Sequence, residues 1–207
     1  MLKILGRPDS INVRKVLWTC AEMDLRYEHE AYGGTTRPTN TPEFLALNPN
    51  ALVPVIVDGS YVLWESNAIC RYLATREARH DLLPQDAAAR GRVEQWMDWQ
   101  ATELNTAWRY AFMALVRKSP AHADPAMIAA SVDSWNRAMR ILDTQLARTS
   151  GFVAGATFTL GDVAIGLATH RWLATPIARP ELPAVAAYYA RLCERPGFVR
   201  FGRDGGP

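Results

Sequence analysis

A chain of 207 residues is long enough to bury one large hydrophobic core or two smaller ones. Hydrophobic residues make up 49% and charged residues 21%, and the net charge is only +2, with lysines and arginines scattered along the chain. This composition argues against nucleic-acid binding, which needs a basic stripe, and no apolar stretch approaches the roughly 20 residues of a membrane-spanning helix. Cys20, Cys70 and Cys193 are too widely spaced for a disulfide framework or a zinc site. We therefore expect a cytoplasmic protein, in a reducing compartment, that holds no metal ion.

Short apolar runs alternate with helical patterns over about the first 75 residues. The stretch VPVIVDGSYVLWES, residues 53–66, places two apolar runs around an Asp-Gly turn, which is the strongest hairpin signal in the chain. The other patterns predict a strand at 2–5, a helix at 11–23, a strand at 26–32, a helical turn at 42–47 and a helix at 66–78. The resulting order, βαβαββα, predicts a mixed sheet covered by helices.

No strand pattern follows Asp86, because from there apolar residues recur at three- and four-residue steps. These patterns predict helices at 93–115, 128–146, 160–174 and 183–193. We place the domain boundary in the polar segment at 79–86. The predicted fold class is an α/β domain at residues 1–78 followed by an all-helical domain at residues 86–207.

The segment TFTLGDVAIG, residues 157–166, carries an unusually complete signal for the start of a helix. Thr159 stands at the N-cap position and Asp162 follows three residues later, which makes an acidic variant of the capping box. Phe158 and Val163 are placed for the hydrophobic staple that often accompanies this box. The segment therefore predicts helix initiation, which is a structural role.

The stretch LGRPDSINVRKVL, residues 5–17, leads from the first predicted strand into the first predicted helix. Ser10 occupies the position where this helix begins. Its hydroxyl can therefore cap the helix, as serine often does at this position, or face a ligand that binds in front of the helix. This stretch by itself leaves both interpretations open.

Four stretches together resemble the cytosolic glutathione S-transferase superfamily over essentially the whole chain. In chain order they are GRPDSINVRKVLW, NPNALVPVI, LWESNAICRYLA and FTLGDVAIG. The resemblance is greatest to bacterial members that carry S-x-N-V near the N-terminus and WESNAI before the third helix. It implies a thioredoxin-like N-terminal domain, an all-helical C-terminal domain, a homodimer and glutathione as co-substrate.

The resemblance also implies where glutathione binds. Pro54 matches a proline that is cis in this family, and the backbone of the residue before it, here Val53, pairs with the cysteinyl part of glutathione. Glu65 and Ser66 match the pair that holds the γ-glutamyl end, with Glu65 at its ammonium group and Ser66 at its carboxylate. A helix start suits a carboxylate because its amide groups and dipole are positive, although Ser66 would serve equally as a plain N-cap.

The glycyl end of glutathione is less well defined, because many relatives carry Lys, Arg or Gln just before the Val-Pro pair. The chain has Asn50, Ala51 and Leu52 there instead. We take Asn50 as the candidate for this end of the tripeptide. His29, Arg37 or Asn40 are alternatives that the sequence does not separate.

A thiol with a pKa of about 8.5 is only a few per cent thiolate at pH 7, so an enzyme that uses glutathione as a nucleophile must stabilise the thiolate. Ser10 offers both a hydroxyl donor and a helix N-terminus for this purpose. Asn12, on the first turn of the helix, is the alternative donor. No tyrosine precedes Tyr27 and no cysteine precedes Cys20, which disfavours a phenol or a thiol in this role. Arg14 either adds positive potential or, more often, is a solvated or interface residue.

The second substrate is expected between the domains, against the predicted helix after residue 87. The stretch NTAWRYAFMALVRK, residues 105–118, is apolar on two sides, which leaves one side for a ligand or partner. Trp108, Arg109 and Phe112 are the candidates, and Trp172, in the stretch HRWLATP, is a weaker one. We predict a glutathione transferase that acts on small hydrophobic electrophiles. Alternatives are a glutathione-dependent peroxidase or disulfide-bond reductase, a dehalogenase, and a partner-binding protein without catalysis.

Overall fold

The computed structural model describes residues 1–206, and its N-terminal part is built around a four-stranded sheet. Its elements are β1 (Leu2–Leu5), α1 (Ile11–Glu22), β2 (Glu28–Glu30), α2 (Pro42–Leu45), β3 (Val55–Asp58), β4 (Tyr61–Trp64) and α3 (Ser66–Arg76). The strands lie in the order β2, β1, β3, β4, with β2 parallel to β1 and the other neighbours antiparallel. The predicted order βαβαββα is confirmed, although β2 is shorter than predicted.

The C-terminal part is helical, as predicted. It contains α4 (Ala87–Trp99), α5 (Asn105–Leu115), α6 (Pro125–Thr149), α7 (Leu160–Ala174), α8 (Pro183–Cys193) and α9 (Pro196–Phe201). One predicted helix is in fact two, because a π-helical turn at Gln100–Leu104 separates α4 from α5. Helix α9 was not predicted, since six residues are too few to show a periodic pattern.

Two helices join the halves of the molecule. Nine of the twelve residues of α1 are buried, because α1 packs against α3 on one side and against α7 and α9 on the other. Helix α7 is buried along thirteen of its fifteen residues and also contacts α4. The N-terminus of α1 therefore lies where the sheet domain meets the helical domain.

The predicted capping box at the start of α7 is confirmed. The Oδ2 atom of Asp162 accepts hydrogen bonds from the amide of Thr159 at 2.9 Å and from its hydroxyl at 3.1 Å. Its Oδ1 atom accepts from the amide of Val153 at 2.8 Å and from the hydroxyl of Tyr188 at 3.1 Å. Burial raises the pKa of this carboxyl to about 6, so the carboxylate is ionised at neutral pH. Asp162 thus connects the start of α7 to the preceding loop and to α8.

Gly6 ends β1 at a close approach between the first loop and α1. Its φ is 153°, and a Cβ atom there would lie 2.5 Å from Cγ2 of Val13 and 3.1 Å from Cβ of Val53. We expect Gly6→Ala to lower the free energy of unfolding by about 1–3 kcal/mol, because backbone and packing strain add. Urea unfolding monitored by circular dichroism measures this change.

Gly91→Ala is the matched control, since Gly91 lies in α4 with no atom within 4 Å of the added Cβ. Alanine is a better helix former than glycine, so this variant should be more stable than the wild type by up to about 1 kcal/mol. If Gly6→Ala were as stable as Gly91→Ala, the close approach at Gly6 would impose no constraint.

Candidate active site

A cavity of about 400 Å³ lies in front of the N-terminus of α1. Ser10 and Ile11 form its floor, and helix α5 supplies one wall. Helix α7 contributes Arg171 at the back. All three sequence candidates for the second-substrate pocket, Trp108, Arg109 and Phe112, line this cavity together with Ser10.

A second cavity, of about 380 Å³, lies beside the first at the start of α3. Its lining includes Asn12, Glu65 and Ser66. The two cavities share Ala101 and Asn105, so they adjoin along the π-helical turn. The sequence candidates for the thiol and for the γ-glutamyl end therefore border two adjoining cavities, which together are called the cleft.

The π-helical turn contacts the polar group of the shared wall, Asn105, which is the first residue of α5. The Oδ1 atom of Asn105 accepts hydrogen bonds from Nε2 of Gln100 at 2.8 Å and from Nε1 of Trp108 at 3.1 Å. These bonds fix the amide of Asn105 and the indole of Trp108 relative to each other. π-Helical turns within α-helices are frequent at functional sites, and this one borders both cavities.

Ser10 stands at the N-cap position of α1, with φ −76° and ψ 122°. Its side chain makes no cap hydrogen bond to the first turn of α1 within the described residues, and the residue is half-buried. The hydroxyl is consequently available to a ligand in the first cavity, where the amide groups of the helix start also point. Of the two interpretations that the sequence left open, capping by the side chain is not observed.

Asn12 lies in the second cavity, and its side chain contacts Ser66. The hydroxyl of Ser66 donates to Oδ1 of Asn12 over 3.4 Å, which links the start of α3 to the first turn of α1. Ser66 is almost fully buried, whereas Glu65 is exposed and has a φ of 73°, a left-handed conformation unusual for a residue other than glycine. The Val53–Pro54 peptide bond is cis, as the resemblance implies.

Three candidates for the glycyl end already form hydrogen bonds within the protein. Asn50 is exposed, and its side-chain amide donates to Oδ1 of Asn48 at 3.0 Å. His29 has one ring nitrogen 2.8 Å from the carbonyl oxygen of Gly6, and Arg37 donates to Glu30 at 2.8 Å. These contacts do not single out one of the three, and Asn50 stays the prediction for this end.

Lys15 is a buried residue of the second cavity that the sequence analysis missed. Its Nζ atom donates to Oε1 of Gln100 at 2.6 Å and to Oδ1 of Asn67 at 3.3 Å. Burial lowers the pKa of Lys15 to about 8. The sequence does contain a sign that Lys15 is buried, which is its position among the apolar residues of an amphipathic helix.

Arg171 is a second buried cation, and it belongs to the first cavity. Its guanidinium lies against two aromatic rings that are nearly perpendicular to each other, with Cζ 4.1 Å from the ring centre of Phe112 and 4.5 Å from that of Trp108. Burial, reinforced by Arg14 and Arg117, lowers the pKa of Arg171 to about 9, so the guanidinium is charged at neutral pH. The sequence sign that Arg171 is buried is its position inside a helix that is apolar on all sides.

Two sequence-based interpretations are corrected. Arg14 is not solvated, since its Nη1 atom donates to the carbonyl oxygen of Gly206 at 2.7 Å and the residue is buried, while its contribution to the positive potential stays a prediction. Burial lowers its pKa to about 10. Trp172, a weaker candidate for the second-substrate pocket, belongs to the core, where its indole donates to Asn136 at 3.0 Å.

Within residues 1–206, no three His, Cys, Asp or Glu side chains come together as metal ligands. None of the helices in this part of the chain combines the length and the apolar character that a membrane crossing requires.

The chain matches the family model for the N-terminal domain of glutathione S-transferases over residues 1–75 and that for the C-terminal domain over residues 125–191. It is 37% identical to glutathione S-transferase GstB of Escherichia coli (strain K12), over 95% of each chain. It is 34% identical to glutathione S-transferase 3 of Zea mays, over 96% of this chain and 92% of that one.

The structural comparison agrees with the sequence comparison. The theta class glutathione S-transferase from the citrus canker pathogen Xanthomonas axonopodis pv. citri, in a crystal structure with glutathione bound, superposes with a TM-score of 0.91. The two chains are 40% identical, and the match covers 97% of this chain and 96% of that one. The chain therefore belongs to the glutathione S-transferase family, and the predicted thioredoxin-like and all-helical fold is confirmed.

Proposed function

We propose that this glutathione S-transferase binds glutathione along the cleft and uses its thiolate to attack a small electrophile in the first cavity. The γ-glutamyl end would contact Glu65 and Ser66, and the cysteinyl backbone would pair with Val53. The thiol would then lie in front of α1. In the reaction a sulfur–carbon bond forms, the leaving group departs with its electron pair, and the thiol proton passes to solvent.

The free hydroxyl of Ser10 at the start of α1 is the observation that carries this proposal. A hydroxyl that does not cap its own helix can donate to a thiolate, and the helix start adds a positive potential. Asn12 is the weaker candidate for this role, because it lines the second cavity and not the first, where Ser10 lies. The homodimer remains a prediction from the family resemblance, and the cytoplasmic location remains a prediction from the composition and the cysteine spacing.

The test of the function is a glutathione titration followed by two parallel assays, one with a chlorinated dinitrobenzene and one with an organic hydroperoxide. Saturable binding and aryl conjugation would support the proposal. Failure to bind glutathione at millimolar concentration would exclude it. Peroxide reduction without aryl conjugation would favour the peroxidase alternative instead.

Ser66→Ala tests the γ-glutamyl subsite. The variant loses a hydroxyl that we place at the carboxylate of glutathione, so the Kd for glutathione should rise about tenfold, which is typical of one hydrogen bond to a charged group. Isothermal titration calorimetry measures it. Ser60→Ala, at the exposed turn between β3 and β4, is the control and should keep the wild-type Kd. An unchanged Kd in Ser66→Ala would remove this residue from the subsite.

A further inference from the structure

The first cavity carries an unbalanced positive charge. Its lining includes four arginines, Arg7, Arg109, Arg117 and Arg171, and no aspartate or glutamate. The acid nearest to Arg7 is Asp9, an exposed residue whose Oδ2 atom lies 3.3 Å from Nη1 of Arg7. The other three arginines form no ion pair within residues 1–206.

Arg171 is the arginine that most needs a partner. It is only 3% exposed, and its guanidinium donates no hydrogen bond to the described residues, with Nε fully buried and unpaired. A buried charge without a counter-charge is costly, and such groups are normally paired. The guanidinium lies 4.5 Å from the ring centre of Trp108 and 4.1 Å from that of Phe112. These rings contact the cation but satisfy none of its donors.

The cavity also has an apolar part, which would contact the uncharged body of a ligand. Ile11, Met113 and the rings of Trp108 and Phe112 line it, and its volume of about 400 Å³ suits a molecule of roughly one ring and its substituents. Arg117 lies at the rim, with Cζ 5.4 Å from the ring centre of Phe112, and is exposed. One deeply buried guanidinium and one exposed at the rim fit a single planar anion better than a highly charged one.

We propose that the electrophile is a carboxylate, with an apolar body against Phe112 and Trp108 and its anionic group bound by Arg171 and Arg117. This inference rests on the proposed function and narrows its substrate class. Guanidinium groups bind carboxylates through two parallel hydrogen bonds, which would supply the partner that Arg171 lacks. A purely hydrophobic electrophile would leave that guanidinium buried and unpaired in the complex.

Arg171 could act on the thiolate of glutathione instead, since both would share the first cavity. The two roles differ in their dependence on the electrophile. If Arg171 stabilises the thiolate, its loss slows every electrophile equally. If Arg171 binds the carboxylate, its loss slows only electrophiles that carry one.

The experiment compares 4-chloro-3,5-dinitrobenzoate with its methyl ester, two electrophiles that share ring and leaving group and differ in charge. With either one, a sulfur–carbon bond forms at C4 and chloride leaves with the bonding electrons. Each kcat/KM is divided by the second-order rate constant of the uncatalysed reaction with glutathione. This division removes the difference in intrinsic reactivity between the two electrophiles. We expect the wild type to favour the carboxylate at least tenfold by this ratio.

Arg171→Met should lower this ratio of catalysed to uncatalysed reaction for the carboxylate by about 10- to 100-fold, the range expected for hydrogen bonds to a charged group. The loss for the carboxylate should be at least tenfold larger than the loss for the ester. Arg117→Gln, at an exposed position, should lower the ratio for the carboxylate by a smaller factor. Arg140→Met, an exposed arginine of α6 remote from the cavity, is the matched control.

A wild type that favours the ester would overturn the inference, and so would equal losses on both substrates in Arg171→Met. If Arg171→Met does not fold, the inference is still tested by the preference of the wild type for the carboxylate over the ester and by the loss of that preference in Arg117→Gln. Glutathione binding and ester turnover without a preference for the carboxylate would refute only this inference. Absence of glutathione binding would instead refute the proposed function.

Discussion

Ser10→Ala is expected to lower kcat/KM for conjugation by about 100-fold, while the Kd for glutathione changes by less than about threefold. The reason is that Ser10 would donate to the sulfur chiefly when it is charged, so its loss raises the pKa of the bound thiol and leaves the tripeptide contacts intact. Ultraviolet absorbance of the bound thiolate as a function of pH measures that pKa directly. The pKa should move upward in the variant.

Two further variants complete this test. Ser10→Thr retains a hydroxyl and should recover part of the activity. Asn12→Ala should reduce kcat/KM by a smaller factor, because Asn12 lines the second cavity rather than the first. A large rise in thiol pKa in Asn12→Ala, with little change in Ser10→Ala, would assign the sulfur contact to Asn12 and favour the peroxidase or reductase alternative.

Asp162→Ala is expected to lower the free energy of unfolding by about 3–5 kcal/mol, because it leaves the buried amides of Val153 and Thr159 and the hydroxyl of Tyr188 without an acceptor. Urea unfolding at one fixed protein concentration measures this loss, since any dimerisation would make stability depend on concentration. Asp162→Asn keeps one acceptor oxygen and should lose less.

Asp133→Ala is the control for this series. Asp133 is exposed on α6, so its replacement should change stability by no more than about 0.5 kcal/mol. Asp162 also stands outside the cavities described above. Where the folded fraction is preserved, as in Asp162→Asn at low temperature, the Kd for glutathione should therefore be unchanged. A stability of Asp162→Ala equal to that of Asp133→Ala would contradict the proposed role of the capping box.

The parts of the fold that were predicted from the sequence are those with a local physical signal. The hairpin of β3 and β4 follows from an Asp-Gly turn between apolar runs, and the start of α7 follows from Thr159 and Asp162. Glu65, Ser66 and the cis Val53–Pro54 bond could be singled out only through the family resemblance, since nothing local distinguishes them from ordinary caps and strand starts.

The two buried cations of the cleft, Lys15 and Arg171, were not predicted, for a reason that is also physical. Lysine and arginine are almost always at the surface, so both are read as solvated until the packing of α1 and α7 is known. The π-helical turn at Gln100–Leu104 has no local signal either. Its residues are compatible with an α-helix, and the extra residue is accommodated only because of the tertiary contacts on both sides.

That turn has a consequence for how this cleft can vary. A π turn accommodates one extra residue within a single turn, so the helix after it keeps its facing, whereas one extra residue in a regular α-helix would rotate everything after it by about 100°. Deleting a single residue between Gln100 and Leu104 would therefore convert the turn into regular α-helix, and α5 would keep Trp108 and Phe112 against Arg171. The change would be confined to the wall that both cavities share at Ala101. The π turn is thus a place where the junction between the two cavities can change by one residue while the aromatic wall of the electrophile cavity stays in position.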